Sequence, residues 1–166
     1  MKNATWFVMA LCGVSVACAH GSGDLARDTY PQAQAEVRQR LDDIWSAVAA
    51  KDLPRLESYH LYGPKFTEFK DGAPRGDAEA NRMGERQFFT ALSDSKVDMK
   101  DLVVNVFGDV AVATFNGDFS GALGGKPVAV KLESTMVFAK TDGQWRLVHE
   151  HFSPLGGPPP GAVSQR

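Results

Sequence analysis

The sequence has few cysteines, no marked excess of charge of either sign and no apolar run long enough to span a membrane. Two cysteines occur in 166 residues, Cys12 and Cys18, and both lie near the N-terminus. The remainder of the chain can form no disulfide, so its stability must come from a packed core. With 18 Lys and Arg against 20 Asp and Glu, the formal net charge is −2. This balance offers no basic surface for a phosphate backbone, and we predict no nucleic-acid partner.

The N-terminal segment is organised like an export signal. Lys2 precedes a mostly apolar run over residues 4–16, which is shorter than the roughly 20 residues that a bilayer requires. Ala17-Cys18-Ala19 then matches the small-x-small pattern of a signal-peptidase site. We predict a signal peptide over residues 1–19 and an exported, periplasmic protein. Residues 15–18 also resemble a lipobox, and in that alternative a lipid on Cys18 would anchor the protein to a membrane.

The rest of the chain divides into a leader, one domain and a tail. Residues 20–30, rich in Gly, Ala and Asp, predict a flexible leader, and residues 154–166, rich in Pro and Gly, predict a disordered tail. Between them, residues 31–153 have the size of a single domain. Apolar spacing predicts a helix over 31–51, a short helix after Asp52 and a third helix after Asp77 that contributes Met83, Phe88, Phe89 and Leu92.

The C-terminal half of this domain follows a two-residue apolar period. A short strand over 65–70 comes before the third helix, and four strands follow from Val97. Their turns are Gly108-Asp109, Gly124-Gly125 and Thr141-Asp142-Gly143. The order of elements predicts an α+β fold in which N-terminal helices pack on a mainly antiparallel sheet.

Two two-residue turns, with the last turn as a three-residue loop, predict the register of the sheet and therefore the residues that share a face. The face predicted to lie inside carries mostly bulky apolar residues: Leu102, Val104, Val106, Ala111, Ala113, Phe115, Phe119, Val130, Leu132, Met136, Phe138, Val148 and Phe152. Arg146, Ser134 and Glu150 are its polar exceptions, and Ser134 is predicted to pair with Glu150. The opposite face carries, among others, Lys131, Glu133, Thr135, Val137, Trp145, Leu147, His149 and His151.

Glu150 is the candidate functional residue, because a buried carboxylate is costly unless it is paired, hydrogen-bonded or solvated in a pocket. Two interpretations stay open. Glu150 either bonds an Arg, Tyr or Ser of the covering helices, or it serves a pocket by binding a cation or moving a proton. Tyr59, His60 and Tyr62 either rim the mouth of such a pocket or pack where the second helix meets the strand.

The sequence gives little support to other catalytic or metal-binding functions. No G-x-S-x-G, P-loop, H-E-x-x-H or C-x-x-C motif occurs. His149 and His151 would point the same way from a strand, with Glu133 opposite, which is a possible metal-ligand set. A cross-strand pair on an exposed or dimer-forming face is the simpler interpretation, so we predict no metal and no cofactor. Trp145 and Leu147 beside the histidines favour a homodimer through this face.

Several motifs carry a family resemblance. They are Trp45 in the first helix, the run Lys51-Asp52-Leu53-Pro54-Arg55-Leu56, Gly76-Asp77-Ala78, and the last hairpin from Thr135 to Phe138 and Asp142 to Ser153. The layout resembles the nuclear-transport-factor-2-like α+β cone, specifically its SnoaL-like branch, over residues 31–153. It is also similar to the association domain of calcium/calmodulin-dependent kinase. That domain has pocket arginines where this chain has Met136 and Phe152, which argues against a carboxylate ligand. The Asp and Tyr set of the ketosteroid isomerase members has no match here.

The resemblance implies a curved, cone-like sheet, but it leaves activity open. We expect an apolar pocket that binds a small apolar or weakly polar molecule without chemistry. The predicted pocket residues are Phe115, Ser134, Met136, Val148, Phe152, Tyr59 and Tyr62. The alternatives are a cofactor-independent isomerase, cyclase or hydrolase with Glu150 as general base, and a purely structural dimerisation module.

Overall fold

The computed structural model describes residues 24–155. The predicted signal peptide, the first part of the leader and nearly all of the predicted tail lie outside these residues. Within them the elements are α1 (Pro31–Ala50), α2 (Leu53–Ser58), β1 (Thr67–Lys70), α3 (Ala78–Ala91), β2 (Leu92–Phe107), β3 (Val110–Leu123), β4 (Lys126–Thr141) and β5 (Gln144–Pro154). The predicted α+β fold, with N-terminal helices on a mainly antiparallel sheet, is confirmed.

The sheet of the described residues has the strand order β1-β5-β4-β3-β2. Strands β2 to β5 form an antiparallel meander, whereas β1 pairs in parallel with β5 at the edge of the sheet. Glu68 of β1 lies beside Glu150 of β5 in this parallel pair. The edge formed by β1 and β5 therefore brings together two carboxylates that are far apart in sequence.

The three helices begin where the sequence predicts. Pro31 occupies the first turn of α1, a position where its missing N–H costs nothing. Asp52 accepts a hydrogen bond from the Arg55 N–H at 3.2 Å at the start of α2. Asp77 caps α3 by accepting from the backbone N–H of Glu79 at 3.1 Å and of Ala80 at 2.9 Å. Both Asp caps confirm the predicted helix starts.

The core lies between α1 and the inner face of the sheet. From α1 it takes Val37, Leu41, Ile44, Ala47 and Val48, and from the sheet Val104, Val106, Ala111, Ala113, Phe115, Met136 and Phe138. These strand residues are all on the face predicted to lie inside. The hairpins at Gly108-Asp109 and Gly124-Gly125 also have the predicted register, since Phe107 pairs with Val110 and Leu123 with Lys126.

The prediction for the last hairpin is wrong in two respects. The turn has two residues, Asp142 and Gly143, both at positive φ, so Thr141 pairs with Gln144. A bulge then follows, because Val137 pairs with His149 while Phe138 pairs with Leu147. The extra residue of a bulge shifts the register of the strand by one.

These two differences change which residues of β5 are buried. Trp145 and Leu147, predicted on the outer face, are buried in the core. Val148, predicted on the inner face, is the unpaired residue of the bulge. Beyond the bulge the predicted alternation returns, and Glu150 is buried as expected. Its partner is Met136 rather than Ser134, which pairs with Phe152.

None of the helices in residues 24–155 combines the length and the apolar character that crossing a bilayer requires.

Candidate functional site

A cavity of about 470 Å³ lies between the helices and the inner face of the sheet. This volume is in the range of small-molecule binding sites. Most of its wall is apolar or aromatic, and this part includes Ile44, Trp45, Val48, Leu56, Phe88, Phe89, Phe119, Val130, Leu132, Met136 and Phe152. The charged and polar side chains in the wall are His60, Glu68, Lys70, Asp71, Glu85 and Glu150.

Five of these polar side chains contact one another and, together with Asn81, form what we call the polar cluster: His60, Glu68, Lys70, Asn81, Glu85 and Glu150. Three elements of the fold position five of its six residues. Glu68 and Lys70 alternate on β1 and therefore share a face, Asn81 and Glu85 lie one turn apart on α3, and Glu150 lies on β5.

His60 is attached to the sheet by the backbone on either side of it. Residue 60 forms a parallel bridge with Leu147, the Leu61 N–H donates to the Leu147 carbonyl at 2.8 Å, and the Leu147 N–H donates to the Tyr59 carbonyl at 2.9 Å. The segment after α2 thus extends the edge of the sheet and directs the imidazole inward, where it is 4% exposed.

Asn81 is the centre of the hydrogen-bond network. Its Nδ2 donates to Glu150 Oε1 in a short hydrogen bond and to Glu68 Oε2 at 3.0 Å. Its Oδ1 accepts from the Tyr62 hydroxyl at 2.6 Å. The amide thereby links three elements, and both of its polar atoms have partners although the side chain is fully buried.

Lys70 is the one ammonium group in the cavity wall. Its Nζ lies 3.3 Å from Glu68 Oε2 and 3.9 Å from Glu150 Oε1. Burial alone would lower the pKa of Lys70, but the Glu150 and Glu68 carboxylates outweigh that effect and leave the pKa raised. Lys70 is therefore charged, and it compensates both the Glu150 and the Glu68 carboxylate.

Glu85 has weaker compensation. Its Oε2 accepts from the Tyr62 hydroxyl at 3.4 Å, and its Oε1 lies 3.7 Å from His60 Nε2. Burial raises the pKa of Glu85 to about 8, and the Glu150 carboxylate adds to the rise. Burial likewise raises the pKa of Glu150 to about 7, although Lys70 and Asn81 oppose it. The two carboxyls interact, so they bind and release protons as a pair.

His60 is a neutral imidazole with one free nitrogen. Its Nδ1 lies 3.0 Å from the Leu56 carbonyl oxygen, which can only accept, so Nδ1 carries the proton. Burial lowers the pKa of His60 to about 4. Its Nε2 is then an acceptor, and it has no hydrogen-bond partner among the described residues.

The structure brings some of the predicted pocket residues together and separates others. Glu150, Met136 and Phe152 are in the cavity wall, whereas Phe115 and Ser134 are buried outside it. Val148 is the bulge residue and is also outside the wall. Of the five predicted pocket residues that lie on the sheet, the cavity wall therefore contains Met136 and Phe152.

The two tyrosines lie behind or beside the cavity rather than in its wall. Tyr62 stacks on His60, with ring centroids 4.8 Å apart, and bonds Asn81. Tyr59 accepts a hydrogen bond from Arg55 at 2.7 Å, and the guanidinium of Arg40 lies over its ring. Tyr62 therefore supports the polar cluster, and Tyr59 belongs to the surface of α1 and α2.

Both interpretations of Glu150 describe part of what is found. The carboxylate is bonded by a covering helix, as the structural interpretation expects, but by Asn81 rather than by Arg, Tyr or Ser. It also lies in the wall of a cavity, as the pocket interpretation expects.

The histidine pair on the outer face is arranged differently from the predicted metal-ligand set. Thr135, not Glu133, lies opposite His151, and Glu133 accepts from the Ser153 hydroxyl at 3.0 Å. His149 Nδ1 lies 2.8 Å from the Thr67 hydroxyl. Among the described residues, the group of His and carboxylate side chains close enough to share a cation is instead His60, Glu85 and Glu150.

Comparison with solved structures places this fold in the nuclear-transport-factor-2-like class. A proposed dehydratase of the NTF2-like family from Streptomyces avermitilis is 20% identical, with a TM-score of 0.71 over 78% of this chain and 100% of that one. An NTF2-like superfamily protein from Salmonella enterica is 16% identical, with a TM-score of 0.67 over 81% and 99% of the two chains. The CamKII hub homology domain of Chlamydomonas reinhardtii is 26% identical, with a TM-score of 0.60 over 74% and 98%.

The family itself follows from the sequence match. The model of the SnoaL-like domain family matches residues 37–156, and the chain belongs to that family. A search of curated proteins found no match. The resemblance predicted from the last hairpin is therefore confirmed, while the particular ligand or reaction has to be argued from the cavity.

Proposed function

We propose that this domain binds a small, mostly apolar molecule in the cavity, with a polar group of the molecule directed at the polar cluster. The observation that carries the proposal is the composition of the wall, where aromatic and aliphatic residues surround a single group of interacting polar side chains. Burial of apolar surface supplies affinity in such a site, and the polar residues orient the ligand.

A neutral fluorescent probe, N-phenyl-1-naphthylamine, tests this proposal. Val130 lies in the cavity wall and is 48% exposed, so Val130→Trp fills the cavity without entering the core. Val103 is matched in exposure at 49% but lies outside the wall. We expect Val130→Trp to weaken probe binding at least about tenfold, a change of roughly 1.4 kcal/mol, while Val103→Trp binds like wild type. Equal binding by all three proteins would contradict the proposal.

A second candidate function is proton transfer to or from the bound molecule. The observation that favours it is that His60, Glu85 and Glu150 each present an acceptor atom within 4.8 Å of the others in the cavity wall. In this candidate the Glu150 carboxylate accepts a proton from carbon next to a substrate carbonyl. Glu85 in its acid form then donates a hydrogen bond to the oxyanion that develops. Cofactor-independent isomerases, cyclases and hydrolases use steps of this kind.

The Kemp elimination of 5-nitrobenzisoxazole measures such a base directly, because the reaction is a proton abstraction from carbon coupled to N–O cleavage. We expect Glu150→Gln to lower the rate at least about 100-fold while the circular dichroism spectrum is unchanged. Glu79→Gln is the control, since Glu79 is an exposed carboxylate of α3 outside the cavity wall. A rate that is the same in wild type and Glu150→Gln would exclude Glu150 as the base.

We also propose that the protein is exported and that it forms a homodimer through the outer face of the sheet, as the sequence predicts. Phe69, Val103, Phe107 and Val110 support pairing, because each is 42–49% exposed. N-terminal sequencing of the mature protein and its mass in solution test the two statements.

A further inference from the structure

We infer that the molecule bound in the cavity carries a primary ammonium group, which is held by His60 Nε2 and the carboxylates of Glu85 and Glu150. This inference rests on the proposed binding function and specifies the chemical class of its ligand. It draws on the hydrogen-bonding capacity, the charge and the spacing of three side chains that come from different elements of the fold.

The first argument is the hydrogen-bonding capacity of the three side chains. With its proton on Nδ1, His60 offers an acceptor at Nε2, and that atom has no partner among the described residues although the side chain is 1% exposed. Leaving a buried acceptor unpaired destabilises the folded protein. Glu85 accepts a long hydrogen bond from Tyr62 at 3.4 Å. When Glu85 is ionised, the site therefore has more acceptors than donors, and a ligand that supplies donors gains more than one that supplies acceptors.

The second argument is the charge of the cavity wall. Four carboxyl groups, those of Glu68, Asp71, Glu85 and Glu150, face one ammonium group, that of Lys70. Lys70 lies closer to Glu68, at 3.3 Å, than to Glu150, at 3.9 Å. Glu85 has the neutral His60 as its nearest basic neighbour. A cationic ligand would favour the ionised forms of Glu85 and Glu150 and supply the positive charge that balances them.

The third argument is the spacing of the acceptors. A primary ammonium has three N–H donors at tetrahedral angles, so acceptors about 2.9 Å from its nitrogen stand roughly 4.7 Å apart. The His60, Glu85 and Glu150 acceptors all lie within 4.8 Å of one another, and His60 Nε2 is 3.7 Å from Glu85 Oε1. One nitrogen can therefore reach all three.

The aromatic part of the wall suits the remainder of such a molecule. Phe88 contacts Phe89 and Phe119, with ring centroids 5.2 Å and 6.0 Å apart, and all three rings line the cavity. A divalent metal ion could use the same three acceptors, but it would leave this apolar surface without an occupant.

The experiment compares 2-phenylethylamine with its neutral isostere 2-phenylethanol by calorimetric titration in a buffer that contains EDTA. We expect the amine to bind wild-type protein at least about tenfold more tightly, or roughly 1.4 kcal/mol. Glu85→Gln should remove that preference, whereas the exposed Glu79→Gln should preserve it. If Glu85→Gln fails to fold, the comparison of the two ligands on wild type still decides.

The other outcomes separate this inference from the binding function. If the alcohol binds as tightly as the amine, or if neither binds while N-phenyl-1-naphthylamine does, the ammonium site is wrong and the binding function stands. If the naphthylamine probe also fails to bind, the binding function itself is wrong. Stoichiometric binding of Zn²⁺ or Mn²⁺ in the absence of EDTA, lost in Glu85→Gln, would identify a metal as the occupant and overturn the inference.

Discussion

Asn81 shows how a single neutral side chain can hold a group of charges in place. Its amide donates to the Glu150 and Glu68 carboxylates and accepts from the Tyr62 hydroxyl. A lysine in its place would add a charge to be buried, and an aspartate would add a fourth carboxylate to the polar cluster. The amide satisfies all of these partners without either cost, because it offers donors and an acceptor in fixed positions.

The substitution Asn81→Leu tests this role. It keeps the branching and the number of side-chain heavy atoms but leaves the buried Glu150 carboxylate without its main donor, so we expect a loss of about 2–3 kcal/mol in the free energy of unfolding. Gln87→Leu is the matched control, since Gln87 is exposed on the same helix, and its effect should stay within about 0.5 kcal/mol. Urea unfolding followed by circular dichroism measures both. Equal stabilities of the two variants would show that the amide contributes nothing.

The residues of the polar cluster differ in how far the sequence could predict them. Glu150 was predictable, because the alternation of β5 places it among apolar residues of the inner face. Asn81 and Glu85 were not predicted, because a buried helix face is expected to be apolar and the apolar residues of this stretch include Met83 and Phe88. Met83 is in fact 63% exposed. The spacing of Asn81, Glu85, Phe88 and Leu92 was the available signal, because it follows one stripe of a helix.

At the scale of elements, α3 differs from an ordinary amphipathic helix. Its buried residues are Asn81 and Glu85, both polar. Such a helix gains little from burying apolar surface at these two positions, and its docking depends on hydrogen bonds to β1 and β5. Sequence patterns that assume an apolar inner face therefore predict the bounds of α3 but not the side that it presents to the sheet.

The last hairpin shows why a predicted face can be right when the predicted pairing is wrong. The two-residue turn and the bulge each shift the register between β4 and β5 by one residue. Together they shift it by two, which preserves the alternation, so Glu150 keeps its predicted face while its partner changes from Ser134 to Met136. Between the turn and the bulge the shift is one, and Trp145 and Leu147 are inverted. No residue type around Val148 marks a bulge in advance.

At the scale of the whole molecule, buried ionisable groups make folding depend on pH. Burial raises the pKa of Glu85 to about 8 and that of Glu150 to about 7 from the ordinary 4.5. The unfolded chain ionises these groups first, so their contribution to stability is lost as the pH rises from 4.5 toward 8. His60 acts oppositely: its pKa is lowered to about 4 from 6.5, and stability is lost as the pH falls through that interval.

Glu85→Gln removes one of the two interacting carboxyls whose raised pKa makes stability depend on pH. Relative to wild type, the variant should gain stability as the pH rises through the window between 4.5 and about 8, because the wild-type carboxyl is increasingly penalised there. The gain should reach at least about 1.4 kcal/mol, the free energy of one pKa unit. Lys70, Tyr62 and Glu150, which face Glu85, are present in both proteins. Urea unfolding across this pH range measures the difference.

The control for this titration is Glu79→Gln, whose side chain is 66% exposed in wild type. Its stability difference from wild type should not change with pH over the same window. If the Glu85→Gln difference is equally flat, the Glu85 carboxyl has an ordinary pKa in the folded protein, and the statement that burial raises this pKa is wrong.

Because β1 pairs in parallel with β5, the cavity cannot form until β5 has been synthesised. Glu68 and Glu150 are neighbours in the sheet, yet the whole of α3 and three strands separate them in sequence. A contact of such high sequence separation carries a large loop-closure cost and forms slowly. A ribosome-bound chain that has not reached Gln144 has no strand on which β1 can pair. The cavity is therefore completed only when β5 has been made, so a chain truncated before β5 cannot form it.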